Sequence, residues 1–135
     1  MHDKTSVVEM PVGALRLLEQ WTEAFNQSDV DKIVSLYAKD AVFFGSGTDS
    51  IVDQMDGIEE YFRSALLGNK PCTTEMLSYR VRLASDDVVL VVAVDRNTGL
   101  KNGSLVGNIG RVTFVMAKQD SEWKIIHFHR SRMPK

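Results

Sequence analysis

The chain of 135 residues is 44% hydrophobic and 25% charged, with a formal net charge of −2, ordinary proportions for a globular domain and not those of a disordered chain. That balance excludes a general electrostatic footprint for nucleic acid or anionic lipid, and the longest apolar run, residues 88–94, is a strand's worth against the roughly 20 residues that span a membrane. The single cysteine, Cys72, excludes an internal disulfide and a multi-thiolate metal site, and the opening Met1, His2, Asp3, Lys4 has no apolar signal segment, so the expected location is cytoplasmic.

Residues 1–11 read as a loose lead-in and residues 12–135 as a single domain. After Pro11 and Gly13, Leu15, Leu18, Trp21 and Phe25 recur at helical spacing, with Arg16, Glu19, Gln20 and Glu23 on the other face, which predicts an amphipathic helix. Ser28 with Asp31 three residues on resembles a capping box opening a second helix with Val30, Ile33, Val34 and Tyr37 as its buried stripe. Ala41, Val42, Phe43 and Phe44 read as a short strand running into the flexible residues 45–50, at the mouth of a pocket, and Ile51 and Val52 as another short strand. Asp56 and Glu59 have cap spacing before a third helix carrying Ile58, Tyr61, Phe62, Ala65 and Leu66, stopped near Gly68 and Asn69.

From Thr73 onward the period changes from helical to alternating. Strands are predicted at about residues 73–83, 88–97, 104–118 and 122–132, joined by short turns that imply consecutive antiparallel hairpins. Gly107 and Gly110 inside a strand predict a bulge or bend. Helices first and strands afterwards define an α+β class, with three helices on one face of a curved antiparallel sheet.

Alternate side chains of a strand share a face. In the last strand Ile126, Phe128 and Arg130 form one set and Trp123, Ile125, His127 and His129 the other. In the strand before, Val112, Phe114 and Met116 oppose Arg111, Thr113 and Val115, and in the run from Val88 the sets are Leu90, Val92, Val94, Arg96 and Val89, Val91, Ala93, Asp95. Turning the more uniformly apolar set of each strand toward the helices puts Arg96 and Arg130 on the concave side. Arg111, Trp123, Ile125, His127 and His129 then lie on the other face, which is still apolar enough to predict a covering second copy, hence a homo-oligomer.

The order of elements, with Leu36, Tyr37, Ala38, Lys39, Asp40, Ala41 and Val42 after the second helix, resembles the nuclear-transport-factor-2-like, cystatin-like fold. The motif Trp-x-Ile-x-His-Phe-His-Arg-Ser at residues 123–131 closely resembles the end of the association (hub) domain of calcium/calmodulin-dependent protein kinase type II. Gly57-Ile58-x-x-Tyr61-Phe62, Arg111-x-Thr113-Phe114-Val115 and Ser131-x-Met133-Pro134 are similar to small bacterial SgcJ/EcaC-like and SnoaL-like proteins. The kinase resemblance implies assembly into rings of dimers and a pocket whose arginines receive a small carboxylate. Arg130 matches one of these arginines, while the other two positions fall on Val94 and Phe114, with Arg96 as a candidate replacement. Ketosteroid isomerases carry a catalytic carboxylate where this chain has Gly45, so chemistry of that type is not expected.

Two arginines converging in an apolar cavity would clamp a carboxylate; the plainer alternative pairs each with an acid such as Asp95 or Glu60. The predicted ligand pocket is Trp21, Tyr37, Phe44, Tyr61, Arg96, Phe114, Phe128 and Arg130. Arg80 and Arg82 are assigned to the solvated rim, and Cys72 to a structural role. His127 and His129 have the i, i+2 spacing of a metal pair but no third ligand, so they are interface histidines, and no metal or cofactor is expected. The leading function is a self-assembling domain that binds a small anionic or amphipathic ligand, with no nucleic acid or membrane partner. The alternatives are a SnoaL-like or isomerase-like enzyme, using Tyr37 or Tyr61 as donor and His127, His129 or Asp95 as base, and a purely structural oligomerisation hub.

Overall fold

The computed structural model describes residues 10–134. Helix α1 (Val12–Asn26) buries Ala14, Leu17, Leu18, Trp21, Ala24 and Phe25, the stripe expected of an amphipathic helix on a sheet. Met10, within the expected loose lead-in, is buried in the core; residues 1–9 lie outside the described residues. Helix α2 (Val30–Ser35) is capped by Asp29, whose carboxylate accepts the Lys32 N–H at 3.1 Å, a bond worth about 1 kcal/mol. The capping residue is therefore not Ser28, which turns the chain at φ 55°.

Tyr37 is not part of that helix. Strand β1 (Tyr37–Phe44) begins there and runs parallel to the last strand, pairing Tyr37 with Ile125 and Phe44 with His129. Val52 returns only as a bridge to Phe43. Helix α3 (Met55–Phe62) continues as a turn of π-helix at Arg63–Leu67. The second half is a meander of β2 (Cys72–Ser85), β3 (Val88–Lys101), β4 (Ser104–Gln119) and β5 (Glu122–Arg132). The sheet is five-stranded, in the order β1-β5-β4-β3-β2, antiparallel except at β1, so the expected purely antiparallel sheet is a mixed one.

Burial corrects two of the predicted faces. In β3 the helix-facing set is Val89, Val91, Ala93 and Asp95, whereas Val92 is 46% exposed and Arg96 is exposed. In β5 the register slips between Val115 and Met116 of the partner strand, pairing Val115 with His127 and Met116 with Ile125, so Ile126 is the bulged residue. One extra residue reverses the parity of everything before it. Ile125 is consequently buried in the core, and the Trp123 ring lies on Gly13 of α1, where a Cβ would collide with it. Neither can serve as the outer-face contact predicted for it. Gly107 and Gly110 are not bulges, since β3 and β4 pair without interruption.

Between the helices and the inner sheet face lies an aromatic core. Trp21 meets Phe114 edge-on at 5.0 Å between ring centroids, Phe43 stacks on Phe128 at 5.1 Å, and Tyr37 contacts Phe62 at 5.9 Å.

Candidate functional site

The chemistry collects at the end of the sheet where β5 finishes, because there the inner face turns from apolar to polar. Following Ile125 and Phe128 on that face is Arg130, and following Ala93 is Asp95; both are almost fully buried, at 4% and 5% side-chain exposure. Their ion pair is forked: Arg130 Nη2 donates to Asp95 Oδ1 at 2.7 Å, and Nε donates to Oδ1 at 3.1 Å and Oδ2 at 3.0 Å. Nη2 also donates to Asn108 Oδ1 at 2.9 Å. The remaining nitrogen, Nη1, reaches Ser46 Oγ at 3.3 Å. This geometry satisfies a guanidinium that would otherwise be prohibitively desolvated.

Gly110 makes the arrangement possible. A Cβ there would lie on the guanidinium of Arg130. The glycine read as a bend is the seat of the buried cation.

Arg130 opens onto an inner cavity of about 210 Å³ lined also by Ser46, Tyr61, Asn69, Cys72, Asn97, Asn108, Lys101 and Arg132. Its lining contains Lys101, Arg130 and Arg132 but no aspartate or glutamate. Burial pushes the Cys72 thiol above its ordinary range, against a smaller opposing pull from the charge of Arg130, so it is a weak nucleophile as it stands.

Of the predicted pocket residues, the structure brings Arg130 and Tyr61 to this cavity. Trp21, Tyr37, Phe114 and Phe128 belong to the packed core instead. The Tyr37 hydroxyl is occupied by the Trp21 indole N–H at 3.1 Å, and burial, reinforced by nearby Tyr61 and opposed by that bond, holds its phenol well above the usual range. Phe44 sits on the outer sheet face with its ring 6.0 Å from that of His129. Arg96 is also outside, paired with Glu75 at 3.3 Å, so the two-arginine clamp does not form and each arginine takes an acid. Val94, one of the positions matched to the hub arginines, is likewise on the outer face.

His127 and His129 are on the outer face as expected, with His127 Nδ1 at 2.9 Å from the Val42 carbonyl; because a carbonyl only accepts, Nδ1 carries the proton. Arg111 is there too, donating to Ser131 Oγ at 3.3 Å. The proposed catalytic roles thus separate in space. Neither histidine lines the cavity, Asp95 is committed to Arg130, and Gly45 carries no carboxylate. Among the described residues no cluster of three or more His, Cys, Asp or Glu side chains could hold a metal, and no helix is long and apolar enough to cross a membrane.

Reasoning from sequence missed Asn69, Asn97, Asn108, Lys101 and Arg132. Asn69 lies in a loop; Asn97 and Lys101 share the inward parity of Asp95 on β3, Asn108 that of Gly110 on β4 and Arg132 that of Arg130 on β5, but these strand segments are polar and give hydrophobic alternation nothing to read.

Comparison with known proteins matches this architecture. A calcium/calmodulin-dependent protein kinase II association-domain assignment from Xanthomonas campestris is 30% identical, superimposes with a TM-score of 0.82, and aligns over 90% of this chain and 86% of that one. The rabbit (Oryctolagus cuniculus) calcium/calmodulin-dependent protein kinase type II subunit delta is 29% identical over 124 residues, 89% of this chain but only 23% of the kinase subunit. A Streptomyces avermitilis protein assigned as a dehydratase of the NTF2-like family shares the fold, with a TM-score of 0.80 at 16% identity over 91% of this chain and 95% of that one. The model of the SnoaL-like domain matches residues 15–135, and with its helices packed on a mixed sheet the chain belongs to the SnoaL-like family of the nuclear-transport-factor-2-like fold.

Proposed function

We propose that the protein is a self-associating domain that binds small organic acids in the cavity beside Arg130. The observation that carries this reading is the charge of the lining: Lys101, Arg130 and Arg132 with no carboxylate among the lining residues. Asp95 neutralises Arg130, so the net attraction for an anion comes from Lys101 and Arg132. Arg130 contributes directed donors, with Nη1 held only by Ser46. An acid entering here gains charge-assisted hydrogen bonds without breaking the buried pair.

Titration calorimetry of propanoate against propanamide tests the reading. The acid binds and its isosteric amide does not, and binding weakens in Arg132→Ala, in Lys101→Ala and with added salt, as screened surface charges require. Equal binding of acid and amide, or of neither, leaves the structural-hub alternative standing.

Self-association rests on the outer sheet face, where Val42, Leu90, Val92, Val94 and Val115 lie in adjoining rows. Val42 and Val92 are 43% and 46% exposed. With the helices all on the other face, a second copy is the partner whose matching apolar rows cover these.

A further inference from the structure

Tyr61 stands where two hollows meet. The inner cavity shares Ser46, Tyr61, Ala65 and Asn69 with an outer cleft of about 850 Å³ formed by α3 and residues 46–50. Small-molecule sites usually occupy roughly 300–1,000 Å³, so the inner cavity, at about 210 Å³, is undersized by itself. A ligand of more than a few carbons outgrows it, and the cleft past Tyr61 is the neighbouring space that shares its lining.

The ring packs against two aromatic side chains and a glycine. Phe43 and Phe62 contact it edge-on at 4.8 and 5.2 Å between centroids. It also lies across Gly45, where a Cβ would come within 2.5 Å of Cε1 and Cζ and 2.8 Å of the hydroxyl oxygen. The ring occupies this place only because residue 45 has no side chain. Among the described residues the half-buried Tyr61 side chain makes no hydrogen bond to protein through its hydroxyl, which leaves that donor free for a ligand in either hollow. Charge differs across it as well: the outer lining holds Asp49 and Glu60 and no lysine or arginine, the inner lining the reverse.

We propose that the two hollows are one binding chamber divided by the Tyr61 ring, which turns aside to admit ligands too long for the inner cavity. The class is an elongated amphipathic acid, carboxylate inward toward Lys101 and Arg132, its uncharged or cationic tail in the outer cleft, and the Tyr61 hydroxyl bonding to it in passing. The ligand's charged end rests on the acid-binding reading above; the partition does not.

Cys72, the chain's single cysteine, lines the inner cavity and reports on the partition without any ligand. At fixed pH, a bulky nitrobenzoate disulfide labels Cys72 at least about tenfold faster in Tyr61→Leu and in Gly45→Ala than in the unmodified protein, while small methyl methanethiosulfonate changes less than about twofold, access and not thiol chemistry being what differs. Tyr61→Leu keeps an apolar contact with Phe43, and near-ultraviolet circular dichroism verifies folding of both variants. Unchanged bulky labelling in the two folded variants, with slowing by Val106→Trp at the opposite mouth, overturns the partition. In calorimetry, Gly45→Ala, at a position that lines neither hollow, changes propanoate binding less than about twofold and tightens octanoate by about tenfold; equal effects on both acids also overturn it. If neither acid binds any variant while labelling responds as stated, the partition stands and the acid-binding reading falls.

Discussion

Arg130 owes its position to Gly110 beneath it and Asp95 beside it. Breaking a buried pair by removing one partner leaves an uncompensated charge and costs about 3–5 kcal/mol, whereas replacing both with apolar groups is often neutral or stabilising. Asp95→Ala should therefore lower the urea-unfolding free energy by that amount, and the double variant Asp95→Leu with Arg130→Met should recover most of it. Tyr37 makes a separate case in the core. Because burial raises its phenol pKa, the folded state retains a proton that the unfolded chain releases, so its contribution is intact below the ordinary value of 10.0 and is lost as pH rises through the folded value. Unfolding titrations carried above that pH should show the native protein losing stability more steeply than Tyr37→Phe. The same variant at neutral pH orphans the Trp21 N–H and should be weaker by about 1–3 kcal/mol.

Among the elements, β5 decides which face is which. Its bulge at Ile126 turns Trp123 and Ile125 inward and leaves His127 and His129 outside. Ile125→Ala should cost about 2–5 kcal/mol as a core truncation. Val92→Ala, on the exposed side of β3, should leave the stability of a single copy within about 0.5 kcal/mol. Denaturant titration at low protein concentration compares them, and equal losses would contradict the faces described. The first and third helices were readable from their apolar spacing and the four meander strands from alternation, with bounds close to those observed, whereas the second helix ends before Tyr37 and the first strand begins there. The faces of β3 were not, because residues 88–94 are apolar at every position and hydrophobicity cannot choose a parity there. The choice is made by Asp95, which must be inside to meet Arg130.

For the whole molecule, the uncovered rows of Val42, Leu90, Val92, Val94 and Val115 lead to a prediction about assembly. Light scattering should find an oligomer for the native chain and a smaller species for Val92→Glu with unaltered far-ultraviolet circular dichroism, since an unpaired charge in an apolar interface opposes association. A native monomer would remove self-association from the proposed function. The sequence by itself determined the α+β class, the order of elements, the sheet's apolar character and the inward position of Arg130, because periodicity and an arginine in an apolar column are properties of neighbouring residues along the chain. Tertiary structure alone decided that Arg130 is neutralised by Asp95 and not joined by Arg96, that Trp21, Tyr37, Phe114 and Phe128 are core, and that asparagines from separate elements meet at the cavity. Those outcomes depend on a one-residue bulge and on contacts between distant segments, and neither leaves a period in the sequence.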